Sequence, residues 1–567
     1  MLKYTDFCTE GFNEQGELIS FELTYPENFN FAYDVIDVIA TEAPERTAVV
    51  WCDMEGNERT LTFEELSALS TQAAHVFKDA GIAKGDRVMV MLKRHLDYWY
   101  VIPALHKLGA VAVPVTHMLT VDDIAYRLST GSIRGVVATP DEEAQQRILD
   151  AIEQAQVEPY LWEVTAAGST SVAPHATHDA GEHSGANEQE PAPRFVNLPA
   201  AMQCAPRTIE REATTAEEPL LMYFTSGTTG NPKAVLHDHT YPLAHIITAR
   251  YWQQVQEGGL HFTVAETGWA KAAWGKMYGQ WLCGSAVMVY DFDNFDPKQL
   301  TSIINRYGVT SFCAPPTVFR YLVKKGMHDM PTLTHASTAG EALSPEVFEL
   351  FKERTGLELC EGYGQTESTL ILAQFKNAQK TPGSMGKASP LYAVEILAPD
   401  GSFAPDGELG EVVIVPPKTG RSHGIFSGYY ENDELYAYVW RDGVYHTGDI
   451  AWRDEEGNFW FHGRADDVIK SGGYRIGPYE VEHVLMEHPA VVECSVVGVP
   501  DTLRGQAIKA YVVLDEKSEP TAELKKELKE FCNTRLAEYK WVRTVEFVEE
   551  MPKTISGKIR RFELRKE

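Results

Sequence analysis

The chain has 567 residues, 81 acidic against 51 basic, for a formal net charge of -30, and 44% of it is hydrophobic. That balance sets aside a nucleic-acid backbone or an anionic membrane as the main partner, and no run approaches the roughly 18 apolar residues that span a bilayer. The length exceeds the ~250–300 residues at which a single core stops growing, so several packed units are expected. The stretch Met1–Glu10 has no apolar signal core. The eight cysteines (Cys8, Cys52, Cys204, Cys283, Cys313, Cys360, Cys494 and Cys532) are scattered with no CxxC pair. Together these features read as reduced, mostly buried thiols in a cytoplasmic protein.

Taken in chain order, Thr62-Phe-Glu-Glu65 is a capping box, and Leu66, Leu69, Ala73 and Phe77 follow at helical spacing up to Gly81. Arg87–Leu92 reads as a buried strand, followed by a helix through Tyr100 and Leu105 and a strand at Ala110–Val115. A further helix leads to the strand Gly135–Thr139. This alternation predicts mostly parallel sheets covered by helices. Residues 165–194 are rich in small and polar residues and read as a mobile surface insertion. Its His175, His178 and His183 suit a solvated loop better than a metal site. Strand signals return from Leu220, and β-rich stretches lie near 391–415. A last unit contains a helix at Pro478–Glu487, a strand at Val491–Gly498, a helix near Ala522–Leu536 and a strand at Trp541–Val548. It is a small α+β domain, with its boundary at Arg464–Asp467. The predicted fold is therefore α/β: a large domain (1–465) with a β-rich subdomain, then a small mobile domain (466–567).

Tyr223-Phe-Thr-Ser-Gly-Thr-Thr-Gly-Asn-Pro-Lys-Ala-Val235 runs from a short apolar strand into two glycines, four hydroxyl residues and a lysine. Glycines let the backbone approach an anion, hydroxyl and N–H groups donate to its oxygens, and Lys233 adds charge. Asn231-Pro232 before the lysine, with no Ser or Thr after it, excludes the GxxxxGK[ST] form of phosphate loop.

This stretch resembles the signature loop of the adenylate-forming superfamily, which includes acyl-CoA synthetases, luciferases and peptide-synthetase adenylation domains. The likeness is strongest to the short- and medium-chain acyl-CoA synthetases. It implies that Thr225, Ser226, Gly227, Thr228, Thr229, Gly230 and Lys233 hold the ATP phosphates. Ser337-Thr-Ala-Gly-Glu-Ala-Leu343 reads as a strand end, with Ser344 as N-cap and Pro345 opening a helix. By resemblance, Gly340, Glu341 and Ala342 cover one face of the adenine. Glu361-Gly-Tyr-Gly-Gln-Thr-Glu-Ser368 is similar to a second motif of the family. Adenylation needs an aromatic face for the purine, a hydroxyl near the α-phosphate and a carboxylate for magnesium. Tyr363, Thr366 and Glu367 offer these in turn, with Glu361 and Gln365 as neighbouring nucleotide contacts.

Tyr445-His-Thr-Gly-Asp449 resembles the motif whose Asp accepts from both ribose hydroxyls. Arg464 resembles an arginine that contacts ribose or phosphate, and Asp466 stands at the family's hinge. Ser471-Gly-Gly-Tyr-Arg-Ile476 is similar to the loop of the second half-reaction. There Gly473 would line the pantetheine tunnel of CoA, and Arg475 would contact phosphate during adenylation. Met551–Arg561 resembles the terminal motif whose second lysine, here Lys558, is catalytic. Its ammonium can bridge the attacking carboxylate and the α-phosphate.

The resemblance implies ATP, Mg2+ and CoA acting with a small carboxylic acid, and leaves a homo-oligomer open. Glu266–Lys276 is similar to the segment that shapes the acyl pocket, which assigns Trp269, Lys271 and Trp274 to that pocket with Gly340 and Gly364. In acetate-specific relatives a Trp stands at the position of Gly364. Glycine there implies room beyond two carbons, which Trp269, Lys271 and Trp274 could partly fill. A short- to medium-chain acid is the expectation. Three alternatives stay open on the sequence: a module loading a carrier protein, a light-emitting oxidase sharing the first step, and a non-catalytic nucleotide-binding protein. The joint presence of Lys558 and Glu367 counts against the last.

Overall fold

The computed structural model describes residues 2–165, 195–225, 232–341, 343–418, 420–471, 474–553 and 559–565. The insertion expected at 165–194, with its three histidines, lies almost wholly outside the described residues. Thr62 caps the helix Phe63–Asp79 as its capping box predicts: its hydroxyl accepts from Glu65 N–H, and the Glu65 carboxylate accepts from Thr62 N–H. The expected strands at 87–92, 110–115 and 135–139 form as Arg87–Met91, Val111–Pro114 and Ile133–Ala138.

Among the described residues these strands belong to an eight-stranded sheet. From Pro219–Thr225 through Val111–Pro114 and Arg87–Met91 to Val196–Asn197 its pairings are parallel. A second sheet, of nine strands, is parallel inside and antiparallel at both edges. Alternation along each strand sends successive side chains to opposite faces. Val88 and Val90 join a large apolar cluster shared with helices 63–79 and 98–107 and with one face of the second sheet, whereas Met89 and Met91 join a separate cluster under helices 121–130 and 142–155. The far face of the second sheet, with Phe262, Met288 and Phe312, is covered by helices 297–307, 316–325 and 345–355. The large unit is thus five layers, helices alternating with two sheets. The β-rich region is a four-stranded antiparallel sheet of Ala393–Leu397, Gly410–Val415, Tyr445–Arg453 and Phe459–Arg464. Past Arg464 a small sheet begins at Ile469–Ser471 and packs its own core with helices 478–486 and 522–533.

The site draws on ten elements: β1 (Pro219–Thr225), β2 (Lys233–Asp238), β3 (Leu260–Thr263), α1 (Ala270–Gly275), β4 (His335–Ala339), α2 (Pro345–Thr355), β5 (Leu359–Gly364), β6 (Gly428–Tyr429), β7 (Tyr445–Arg453) and β8 (Phe459–Arg464). The strands β3, β4 and β5 belong to the parallel part of one sheet, so their carboxyl ends emerge at one edge. That is where α/β folds place ligands.

Candidate active site

Gly340 follows the end of β4 with φ +105°, a conformation that side-chain-bearing residues rarely adopt. The Lys271 ammonium, from α1, donates to Ala339 O at 2.7 Å and so lies against this turn. Glu341 accepts from the Thr317 hydroxyl at 2.8 Å. Ser344 is the N-cap of α2 and Pro345 its first residue, as expected, but the Ser344 side chain makes no capping hydrogen bond. Ala342 lies outside the described residues, as do Ser226–Gly230, Gly473 and Lys558. Arg475 lies on the strand Tyr474–Ile476, paired with Lys470.

The end of β5 meets the first half of β7 and the end of β8 in a dense polar cluster. The Tyr363 hydroxyl donates to Asp449 Oδ2 at 2.5 Å, and Gln365 Nε2 donates to the same oxygen at 2.7 Å and to Thr447 O at 2.8 Å. Gln365 Oε1 accepts from the Tyr445 hydroxyl at 2.9 Å. The strand register sets Arg464 opposite Asp449, and the guanidinium lies 3.3 Å from Asp449 Oδ1 and 3.4 Å from Asp466 Oδ1. Burial, reinforced by the Asp449 carboxylate, pushes the Tyr363 phenol well above its ordinary range and keeps it a donor. The structure therefore brings Tyr363, Gln365, Asp449, Arg464 and Asp466 together, and adds Tyr445 and Thr447.

Thr366 and Glu367 follow directly. His237 Nε2 donates to Thr366 O at 2.7 Å. Burial pulls His237 down to about 4, so the ring is neutral and carries its proton on Nε2. Glu367 Oε1 accepts from the Tyr429 hydroxyl at 2.9 Å, and Glu367 O accepts from Phe426 N–H at 2.7 Å. Lys233 opens β2 opposite Thr225, and its ammonium stands 5.7 Å from the centre of the Tyr429 ring. Neither His237 nor Tyr429 belongs to a motif that sequence reasoning singled out.

Where the resemblance places the acyl pocket, Trp274 stands against Gly364 and fills part of the room expected there. A Cβ built there would fall against the Trp274 ring, 2.9 Å from Cζ2, and 2.5 Å from Thr369 O. Trp274 is buried and meets Trp252 edge-on, with ring centroids 6.3 Å apart and planes at 85°. Trp252 in turn fills the space beside Gly362, whose Cβ would lie 2.6 Å from Trp252 Cε2. Alternating glycines on β5 thus receive two indoles. That pairing was readable only as an excess of Trp near 252–274. Trp269 is the N-cap residue of α1 and is half-buried.

Glu361 is fully enclosed beneath the site, and its Oε2 has no hydrogen-bond partner among the described residues. Burial pushes it up to about 8 from 4.5, against a smaller opposing pull from the Leu343 backbone. Below pH 4.5 folded and unfolded chains are both protonated. Between 4.5 and 8 only the unfolded chain releases the proton, so the stability this carboxyl contributes drains as pH rises through that window. Glu361→Gln is expected to unfold at a higher temperature than the parent. Its advantage should grow by about 2–3 kcal/mol between pH 6 and pH 8. Thermal midpoints with the same pH dependence in both proteins would refute this.

A family model described as AMP-binding enzyme matches residues 36–430, and one described as AMP-binding enzyme C-terminal domain matches residues 480–558. Acyl-coenzyme A synthetase ACSM3, mitochondrial, of Mus musculus is 37% identical over 558 residues, covering 96% of this chain and 92% of the relative. Acyl-coenzyme A synthetase ACSM4, mitochondrial, of Homo sapiens is 39% identical over 552 residues, covering 95% and 90%. The crystal structure of the anthranilate CoA ligase AuaEII in complex with anthranoyl-AMP superposes with a TM-score of 0.81 at 26% identity, covering 96% of this chain and 98% of that one. Both of these relatives are mitochondrial by name, which overturns the cytoplasmic placement. Buried free thiols, which seven of the cysteines are, persist in any reducing compartment and do not tell one from another. With both family models matched and this identity sustained across nearly all of each relative, the chain belongs to the AMP-binding enzyme family, among the acyl-coenzyme A synthetases.

Proposed function

We propose that this chain joins a short- to medium-chain carboxylic acid to CoA through an acyl-adenylate, with the residues above in the following roles. The observation that carries the assignment is the Tyr363–Gln365–Asp449–Arg464 cluster beside Thr366, Glu367 and Lys233. A carboxylate is a poor acyl donor, because oxide is a poor leaving group. Its oxygen attacks the α-phosphorus of ATP, the bond to the β-phosphate bridging oxygen breaks, and pyrophosphate leaves. The Tyr363 ring flanks the purine opposite the Gly340–Ala342 turn, and Asp449 accepts from the ribose hydroxyls. Thr366 and Arg464 face the α-phosphate, while Thr225–Gly230 and Lys233 hold the departing pyrophosphate. Lys558 bridges the two reacting anions and offsets developing charge.

Magnesium in phosphate sites takes one or two carboxylates plus substrate oxygens and water, not an all-protein cage. Glu367, whose Oε1 accepts from the Tyr429 hydroxyl, is a carboxylate that would suit that sparse donor set. When bound, the ion would neutralise phosphate charge. In the second step CoA sulfur attacks the acyl carbon, AMP leaves, and the thioester forms. Gly473 lines the thiol's path and Asp466 is the hinge between the two arrangements, with the domain boundary at Arg464–Asp467. No enzyme nucleophile is required.

The test is AMP release and thioester formation across acetate, propionate, butyrate, 2-methylbutyrate, hexanoate, octanoate and benzoate, with and without CoA. CoA-dependent turnover with an optimum above acetate is expected. A clear preference for acetate would sink the chain-length assignment, and an adenylate that never passes to CoA would sink the ligase reading.

A further inference from the structure

We propose that Tyr429 is a positioning residue of the adenylating site, holding the Glu367 carboxylate with its hydroxyl and placing Lys233 with its ring face. The proposal rests on the reading above, in which Lys233 and Glu367 serve the ATP phosphates. It starts from strand register. The short strand β6 pairs antiparallel with β2, Tyr429 opposite Val235 and Gly428 opposite Leu236. Cross-strand partners share a face, and residues two apart along a strand share it too. Tyr429 therefore lies on the face that carries Lys233, Val235 and His237, flanked diagonally by the lysine and the histidine. The contacts agree: the Lys233 ammonium stands 5.7 Å from the ring centre, and the hydroxyl donates to Glu367 Oε1 at 2.9 Å. On the same face His237 grips the carbonyl of Thr366, the residue before Glu367.

The ring is buried and packs on Phe426, with centroids 4.7 Å apart, and Phe426 itself donates from its backbone to Glu367 O. Phenylalanine could supply that packing. The hydroxyl is what packing leaves unexplained, and it points at a carboxylate. One strand and the short strand beside it thus reach three groups on which adenylation draws: Lys233, the Thr366 backbone and the Glu367 side chain. The phosphate lysine and the acidic residue, far apart in the chain, are spaced by a single phenol.

Tyr429→Phe keeps the ring and removes only the hydroxyl. Its acid-dependent ATP–pyrophosphate exchange should lose about 10- to 100-fold in kcat/KM for ATP, the usual range for partners that orient a ligating side chain. The KM for the acid, acyl-CoA formation from supplied acyl-adenylate, and the thermal midpoint should stay near the parent values. Equal losses in both half-reactions, or a matching fall in thermal midpoint, would reduce Tyr429 to a packing residue and overturn the proposal. Glu367→Gln separates the two layers. If Glu367→Gln depresses exchange and Tyr429→Phe does not, the positioning role falls while the site reading stands. If Glu367→Gln leaves exchange intact, the site reading itself falls.

Discussion

Replacing Lys558 with alanine is expected to cut acid-dependent ATP–pyrophosphate exchange by at least about 10²–10³-fold, the cost of removing one preorganised donor from a transition state. Acyl-CoA formation from supplied acyl-adenylate should persist. The reason is electrostatic. Adenylation brings a carboxylate onto a polyanion, so a cation must stand between the reacting oxygen and the α-phosphate, whereas thiol attack on the adenylate has no such anion pair to align. Lys271, the cation from α1, is already committed to Ala339 O, to which it donates at 2.7 Å. Measuring the two half-reactions separately decides the matter, and equal loss in both would overturn the role.

Trp274→Leu is expected to raise kcat/KM for octanoate relative to butyrate by about 10- to 100-fold, since each added methylene in a fitted pocket is worth about 1–3 kcal/mol. The indole stands where a side chain at position 364 would otherwise project, so it sets how deep that side of the region runs. Shortening it trades a full ring for a branched chain, and about 2–4 kcal/mol of stability should go with it. Gly364→Ala is expected to act in the opposite sense, pressing on Trp274 and on Thr369 O, and to lower turnover for every acid. A chain-length profile unchanged by Trp274→Leu would place the acyl group elsewhere.

Local pattern carried a good deal of this. The capping box at Thr62, the alternation of 87–139 and the helix and strands after Pro478 all form close to where spacing puts them. Tyr363, Gln365, Asp449 and Arg464 could be named in advance because they stand in short strings that resemble motifs of the adenylate-forming family. What could not be read depends on pairing between distant segments. Thr47–Asp53 joins the sheet of 260–373, not that of its neighbours at 87–163, because its parallel partner is Ala286–Asp291. The strand Gly505–Leu514 pairs with Val491–Asp501 and with Thr544–Phe547. Trp274 occupies the space of Gly364 through a crossing of α1 and β5 that neither segment encodes alone. Tyr429 and His237 escape notice for the same reason: each is ordinary in its own stretch and acquires a role only when β6, β2 and the end of β5 meet.

Thr225 and Lys233 are paired across the antiparallel strands β1 and β2. Along β2 the side chains alternate, and a slip of one residue against its neighbours would exchange its two faces. One residue gained or lost before Lys233, if taken up by such a slip, would carry the lysine away from the phosphates. The same slip would carry His237 away from Thr366 and set Tyr429 against the wrong row. A change of two would keep every face. The register of β2 thus ties three contacts together, and a slip of one residue would undo all of them at once.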